Sequence, residues 1–362
     1  MDVVLTRRAE DFVRPLAMAA ITGRPVHRDR DLFRPDGQIR HVDLAHRAEI
    51  AVVAPATASF LARLAQGEAS DLLVATLLGT RCPLILAPAM EEEMWRHPAV
   101  QANVDRLVER GALVVGPETG RLASGATGAG RMSEPEAIVE AVFRALCPQD
   151  LAGRRILVTA GPTREHLDDV RFISNASSGR MGWALAEAAK ARGADVVLVS
   201  GPVSLGDPWG IPVHRVTSAE EMAREVRRLY DGVDTVLAAA AVADAAPARR
   251  YAGKADKGDL PATLDLAPTE DILAWAGAHK DGRHLVGFAL QAGLNVEKAL
   301  EKLRRKSLDL IVLNDVGEEG AGPGALTNHV LILGPQGPVG EVRGPKSQVA
   351  HAVLDALRGD RS

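Results

Sequence analysis

"VTAGPTREHLDDVRFISNASSGRMG", residues 158–182, decides the fold of the half of the chain in which it lies. An apolar run ends at Ala160-Gly161-Pro162, a long polar stretch follows, and Ser177-Ser178-Gly179 opens a segment of helical periodicity. A strand that turns through Gly and Pro and then feeds a helix is the opening unit of an α/β sheet. Thr163, Arg164 and Asn175 offer side-chain hydrogen bonds. Ser177, Ser178 and Gly179 place backbone amides at a helix N-terminus, where an anion is favoured. A Rossmann turn for a nicotinamide dinucleotide would present similar groups, but it would carry GxGxxG directly after the strand. No such string follows Ala160, and Ser178-Gly179 with Gly182 is only a fragment of one.

Working outward, the same alternation repeats. Apolar strand runs at 156–159, 195–200, 235–240, 285–288 and 308–313 are interleaved with helical patterns at 178–192, 218–229, 270–278 and 296–306. A last strand at 330–333 and a helix at 346–358 finish the chain. The first half shows strands at 3–5, 50–54, 83–87 and 113–115, with helices at 9–21, 57–66, 97–110 and 134–146. "CPQDLAGRR", 147–155, interrupts the pattern with Pro and Gly. The expected organisation is a first domain over 1–146, a linker over 147–153 and a second domain over 154–362. The expected fold class is α/β, with two doubly wound domains, Rossmann-like or flavodoxin-like, built on mostly parallel sheets. Ligands of such sheets gather at the carboxyl ends of the strands.

The bulk numbers agree with that class and exclude others. The 362 residues suffice for two domains, and 46% hydrophobic with 25% charged residues is a globular composition. Only 3% are aromatic, so Ala, Val, Leu and Gly must fill the cores. A net charge of −4 gives no basic field for nucleic acid. Two cysteines, Cys82 and Cys147, without CxxC spacing mark neither a disulfide framework nor a zinc site. No apolar run reaches membrane-spanning length and no signal peptide leads the chain, so the expected location is the cytoplasm, with no membrane partner.

The string "TAGPTREHLDDVRFISNASSGRMG" closely resembles the phosphopantothenate–cysteine ligase domain of the bifunctional coenzyme A biosynthesis flavoproteins. "SGPVSL" (200–205), "AAAVAD" (239–244), "VGFAL" (286–290) and "KSLDLIVLND" (306–315) extend the resemblance in order. It implies a reaction in two steps. The carboxylate of 4′-phosphopantothenate attacks the α-phosphate of CTP, giving an acyl-cytidylate and pyrophosphate; the amino group of cysteine then displaces CMP. Magnesium would bridge the phosphates. Such chemistry gathers polyanions, so it calls for cations and amide donors more than for a nucleophile.

The resemblance distributes the roles. Asn175 matches the asparagine associated with the acyl-cytidylate, and Arg171, Ser178 and Gly179 would meet phosphopantothenate. Lys254, in "GKADKG", would be the triphosphate or transition-state lysine; a loop lysine alone is more often only solvated. Ala238, Ala239 and Ala240 allow close approach of the nucleotide, and Asp244 would reach it or its metal. Glu270, Asp271 and Ile272 open a helix whose turn faces the nucleotide, although acids there also serve as ordinary caps. Phe288 would lie beside the CTP. Lys302 and Lys306, four apart on one helical face, would bind it, where an ordinary charged face is the plainer reading. Two departures stand out: Asp256 thins the lysine cluster, and Gln291 replaces a customary Glu.

The first half resembles the flavin-dependent phosphopantothenoylcysteine decarboxylase domain, through "RHVDLAHRAEIAVVAPATA" (40–58), "APAMEEEMWRHPAVQAN" (87–103) and "ASGATGAGRM" (123–132). Thr6, Pro55, Ala56, Thr57 and Ala58 would hold FMN, which oxidises the cysteine moiety so that carbon dioxide leaves easily. His41 would serve that oxidation. Two further positions differ from the family: Glu91 stands where Asn is usual, and Ser124 where a proton-donating Cys is usual. A hydroxyl is a poor acid near neutral pH. Either the domain is a catalytically dead oligomerisation scaffold, or a protonated Glu91 supplies the missing acid. Met1 leads within one residue into an apolar strand, so either the domain is unusual or a first strand-turn-helix unit of about 30 residues is expected to be missing. That unit normally carries the FMN phosphate turn. Weak or no FMN binding is the resulting expectation, which disappears if the natural start lies upstream. The family further implies a homo-oligomer. Two other classes remain as alternatives: an NAD(P)-dependent oxidoreductase, and a non-catalytic flavoprotein-like scaffold or regulatory subunit.

Overall fold

The computed structural model describes all residues except 34–36, 255, 257–262, 292, 316, 318–321, 323 and 360–362. They form two compact units, Met1–Pro148 and Gln149–Ser362.

In the first unit the strands are β1 (Val3–Leu5), β2 (Val26–Arg28), β3 (Ala51–Ala56), β4 (Leu84–Pro88), β5 (Leu113–Val114), β6 (Glu118–Arg121) and β7 (Thr127–Arg131). The helices are α1 (Pro15–Thr22), α2 (Arg40–Arg47), α3 (Ala58–Gln66), α4 (Leu72–Gly79), α5 (Glu92–Arg96), α6 (Pro98–Glu109) and α7 (Pro135–Leu146). β3-β4-β5 form a parallel sheet, β1-β2 a separate parallel pair, and β6-β7 an antiparallel hairpin. Val53 and Leu86 of the sheet pack with Phe60, Leu61, Leu64, Val74, Val104 and Leu107 from α3, α4 and α6. The helix predicted over 9–21 divides into a 3-10 turn at Ala9–Asp11 and α1. Pro15 has no amide proton to continue a helix and instead begins one. α4 carries no periodic signal because "LLVATLLG" is apolar all round. β6 and β7 are too rich in Gly and polar residues to show alternation.

The second unit continues with β8 (Arg155–Ala160), β9 (Arg164–His166), β10 (Phe172–Ser174), α8 (Arg180–Ala191), β11 (Asp195–Ser200), β12 (Val213–Arg215), α9 (Ala219–Tyr230) and β13 (Thr235–Ala238). Then come β14 (Ala245–Pro247), β15 (Leu266–Pro268), α10 (Ile272–Ala278), β16 (His284–Gln291), α11 (Val296–Arg305), β17 (Leu310–Asp315), β18 (Thr327–Gly334), β19 (Gly337–Pro345) and α12 (Lys346–Gly359). An eight-stranded sheet runs β12-β11-β8-β13-β16-β17-β18-β19. It is parallel from β12 to β17, and β18 and β19 join antiparallel. The parallel part has the doubly wound order, so its topological switch lies between β8 and β13, where ligands of such sheets bind. Along β8, Ile156 and Val158 face a core closed by α8 and α12, whereas Leu157 faces one closed by α9, α10 and α11. Among the described residues no helix is long and apolar enough to cross a membrane.

The second unit begins before residue 154. Leu151 is buried in its core, and Asp150 pairs with Arg192, itself only 1% exposed. Arg192 also donates to Asp355 at 2.7 Å and to the His351 carbonyl at 3.2 Å, tying the entry segment, α8 and α12 together. The Arg192 hydrogen bond outweighs the effect of burial and holds the Asp150 carboxyl below the usual range. We expect Arg192→Met to cost about 3 kcal/mol in urea unfolding near neutral pH, the scale of a broken buried pair. A depressed carboxylate stabilises above its unfolded pKa, and this is lost as pH falls through the native value. The difference between variant and parent should therefore shrink across that acid window.

Candidate functional site

Beside the switch point, where the loops after β8 and β11 cross, the chain makes close backbone approaches that only glycine allows. A Cβ on Gly201 would lie 1.7 Å from the Pro162 carbonyl oxygen. Gly161 (φ +74°) and Gly179 (φ +77°) both adopt left-handed backbone and crowd Val203, at 2.8 and 2.7 Å from an added Cβ. The segment after β13 is stitched to this turn. Ala241 donates its amide to the Gly161 carbonyl at 2.8 Å, and Ala243 donates to Thr163 Oγ1 at 3.0 Å. Asn175 Nδ2 donates to the Val242 carbonyl at 2.9 Å and the Ala241 carbonyl at 3.4 Å. Among the described residues no donor reaches its side-chain Oδ1, while its backbone carbonyl accepts the Ser174 hydroxyl at 3.4 Å.

A cavity of about 420 Å³ opens beside this turn at the N-terminus of α8. Arg164, Asn175, Ser177, Ser178 and Arg180 line it. Two guanidinium groups, two hydroxyls and the positive end of a helix make it a cavity for an anion. Sequence reasoning passed over Arg180, which reads as an ordinary first-turn residue.

Across the strand ends lies a second group. Lys306 is 9% exposed and its Nζ sits 2.6 and 2.7 Å from the two Asp271 carboxylate oxygens. Asp271 caps α10 by accepting the Ala274 amide at 3.0 Å. Burial raises its carboxyl pKa, but the Lys306 hydrogen bond, the Ala274 amide and the two lysine charges outweigh it and hold it low. Lys302 Nζ reaches the Phe288 carbonyl at 3.4 Å. Burial first, and then the neighbouring Lys306 charge, push the Lys302 ammonium below the ordinary lysine range, with Asp271 and Asp244 opposing. The Ala239 amide donates to the Thr159 carbonyl at 3.2 Å, and the Ala240 amide donates to Thr159 Oγ1 at 3.3 Å; the strand itself ends at Ala238. Lys306 meets Asp271, Lys302 meets the Phe288 carbonyl, and Asp244 is near enough to act on Lys302; Ala238 pairs with Gly287, next to Phe288, on the β13–β16 ladder. Ile272 begins α10.

Three predicted residues stand differently. Glu270 forms its ion pair with Arg227 of α9, whose guanidinium lies 5.3 Å over the Trp275 ring. Lys254 is exposed, with no described partner. Of "GKADKG", residues 255, 257 and 258 lie outside the described residues. Arg171 sits in the turn between β9 and β10, 3.5 Å from Asp168.

In the first unit β3 ends in Pro55-Ala56, followed by Thr57, which caps α3 by accepting the Phe60 amide at 3.3 Å. Ala56 is fully buried. Thr6 caps the turn after β1, accepting the Ala9 amide at 3.3 Å. His41, at the start of α2, holds a buried Nδ1 with no partner among the described residues. A buried ring nitrogen is ordinarily satisfied. The small residues at the end of this parallel strand and the capped helix start beside them fit a flat, polar cofactor.

Glu91 and Ser124 meet. Ser124 donates its hydroxyl to Glu91 Oε2 at 2.9 Å and its amide to Oε1 at 3.2 Å. The β6–β7 hairpin is closely seated here. Met90 donates its amide to the Gly130 carbonyl at 3.0 Å, and a Cβ on Gly130 would lie 2.1 Å from the Met90 oxygen. A Cβ on Gly128 would collide with the Glu92 carboxylate at 2.2 Å.

Residues 151–359 match the family model described as the DNA/pantothenate metabolism flavoprotein C-terminal domain, and residues 1–146 match the flavoprotein model. Fold and matches together define a two-domain α/β flavoprotein enzyme. The chain is 43% identical over 373 residues to the coenzyme A biosynthesis bifunctional protein CoaBC of Mycobacterium bovis, covering 98% of this chain and 88% of that protein. It is 44% identical over 337 residues to the Bacillus subtilis protein of the same name, covering 92% and 83%. The chain belongs to this family of bifunctional coenzyme A biosynthesis enzymes, which sets aside the nicotinamide oxidoreductase. A solved DNA/pantothenate metabolism flavoprotein from Streptococcus pneumoniae shares the fold at 21% identity and a TM-score of 0.51, over 58% of this chain and all of that one.

Two outcomes follow from this geometry. Glu91→Ala should speed hydrogen exchange at the Ser124 amide about tenfold, measured by mass spectrometry, while β3 and β4 keep their protection. Lys302 should lose its proton below the ordinary lysine range, because burial and the Lys306 charge outweigh Asp271 and Asp244. An NMR titration of the Lys302 side chain checks this, and Asp271→Asn should lower the midpoint further.

Proposed function

We propose that the second unit joins 4′-phosphopantothenate to cysteine with CTP, through an acyl-cytidylate. The observation that carries this reading is the Asn175 side chain, anchored on the 241–242 backbone and lining the anion cavity. The cavity and the lysines would hold the phosphates. Lys302 and Lys306 would offset charge on the nucleotide, with Asp271 fixing Lys306. Asn175, held by its amide nitrogen, would present a fixed dipole to the mixed anhydride. Lys254, unpaired among the described residues, would close on the triphosphate. Among the described residues no group of three His, Cys, Asp or Glu side chains is placed to hold a metal. Magnesium ordinarily keeps its waters and binds through phosphates and one or two carboxylates, which suits Asp244 here.

The first unit would decarboxylate the ligated product. Thr6, Pro55, Ala56, Thr57 and Ala58 would hold FMN, which supplies the redox chemistry that loosens the carboxyl group. His41 would present its open nitrogen to the polar rim of that site. Glu91, as a carboxylate, keeps the Ser124 hydroxyl turned toward itself; as a carboxylic acid it would instead donate. The exposed apolar surface of Phe12, Leu16 and Ile21, at 90, 79 and 75% exposure, supports a homo-oligomer.

Pyrophosphate release should require CTP, magnesium and 4′-phosphopantothenate, and amide formation should require cysteine as well. Asn175→Ala and Lys254→Ala should each slow turnover at least tenfold, or about 1.4 kcal/mol. Parental rates in both variants would reject the site, and no pyrophosphate from the folded parent would reject the ligase.

A further inference from the structure

One buried carboxylate outside both groups organises the turn on which two of the proposed cationic residues depend. Asp168 lies at the turn between β9 and β10, and its side chain is fully buried. Its Oδ1 accepts the Val170 amide at 2.8 Å and the Arg171 amide at 2.6 Å, while Oδ2 faces the Arg171 guanidinium at 3.5 Å. The turn is closed by the Leu167 amide, which donates to the Arg171 carbonyl at 2.8 Å. A carboxylate withdrawn from water in this way holds the groups it binds, because its own charge would otherwise be buried unpaired.

The same turn seats the segment that leads into Lys254. Tyr251 donates its amide to the Leu167 carbonyl at 2.8 Å, and Asp169 donates its amide to the Gly253 carbonyl at 3.1 Å. Arg250 pairs with Asp169 at 3.1 Å outside these backbone bonds. Gly253 then turns with φ +68°, and Lys254 follows. Arg171 and Lys254, 83 residues apart in number, therefore depart from one small platform.

We propose that Asp168 is a positioning residue of the ligase, setting the places of Arg171 and Lys254 relative to each other. The inference rests on the ligase reading. Two polyanionic substrates meet in that reaction, and the spacing of the cations between them decides whether the carboxylate and the α-phosphorus approach. Asp168 touches neither substrate and acts through the turn.

Steady-state pyrophosphate release by the full chain tests this, with CTP and 4′-phosphopantothenate varied separately. Activity of the parent is the control for the ligase reading: a silent parent overturns that reading and the inference with it. With an active parent, Asp168→Ala should raise both KM values about tenfold and lower kcat. Exchange at the Tyr251 amide should quicken at least tenfold, with protection along β8 unchanged. Asp168→Asn retains Oδ1 for the two amides but not the charge facing Arg171. It should restore the CTP KM and leave that of phosphopantothenate raised several-fold. Unchanged KM values in Asp168→Ala, or equal shifts for both substrates in Asp168→Asn, overturn the proposal. If Asp168→Ala does not fold, the split between substrates in Asp168→Asn decides it.

Discussion

The passage of Gly201 against the Pro162 carbonyl is the constraint on which the second unit's site depends. It lets the loops after β8 and β11 lie closer than any side chain would permit. The turn after β8 can then bond to the backbone after β13, through Gly161, Thr163 and Asn175. A doubly wound sheet always parts its loops at the switch point. Here the gap is bridged by backbone and by the Thr163 and Asn175 side chains, so the polar groups at its rim are fixed before any ligand arrives. Preorganisation of this kind is what makes dipoles effective toward charge that develops during reaction.

Charge in the second unit is arranged with the same economy. Burial and then the neighbouring Lys306 charge depress Lys302, and Asp271 neutralises Lys306. The two lysines without Asp271 would be difficult to bury together, whereas Asp271, 48% exposed at the N-terminus of α10, is a favourable cap in its own right. Glu270, its neighbour in sequence, turns instead to Arg227 and braces α9 against α10. Adjacent acids thus serve different partners, one facing the strand ends and one facing the helical layer.

In the first unit the two positions that depart from the family's habit are in contact. Glu91 accepts both the hydroxyl and the amide of Ser124. A Glu at 91 with a Cys at 124 would have a far weaker donor for the same oxygen, and a Ser at 124 with an Asn at 91 would lose the charge that strengthens the bond. The pair adds to the seating of the β6–β7 hairpin, which Gly128 and Gly130 already draw tightly onto the turn after β4.

The sequence by itself determined the alternation of strands and helices, the parallel sheets and the family, because period, glycine turns and strings such as 158–182 are local properties of the chain. It marked Asn175, Lys302, Lys306 and Asp271 as candidates through those strings. It concealed α4, apolar on every side, and the Gly-rich β6–β7 hairpin, since neither carries a periodic signal. It also set Asp150 and Leu151 in a linker, although both belong to the second unit. Only the tertiary structure decided that Lys306 meets Asp271, that Ser124 meets Glu91, and that Arg171 and the Lys254 segment share the Asp168 turn. Those pairings join residues 33 to more than 80 positions apart, and their distances are set by how loops cross strand ends, which no local pattern encodes.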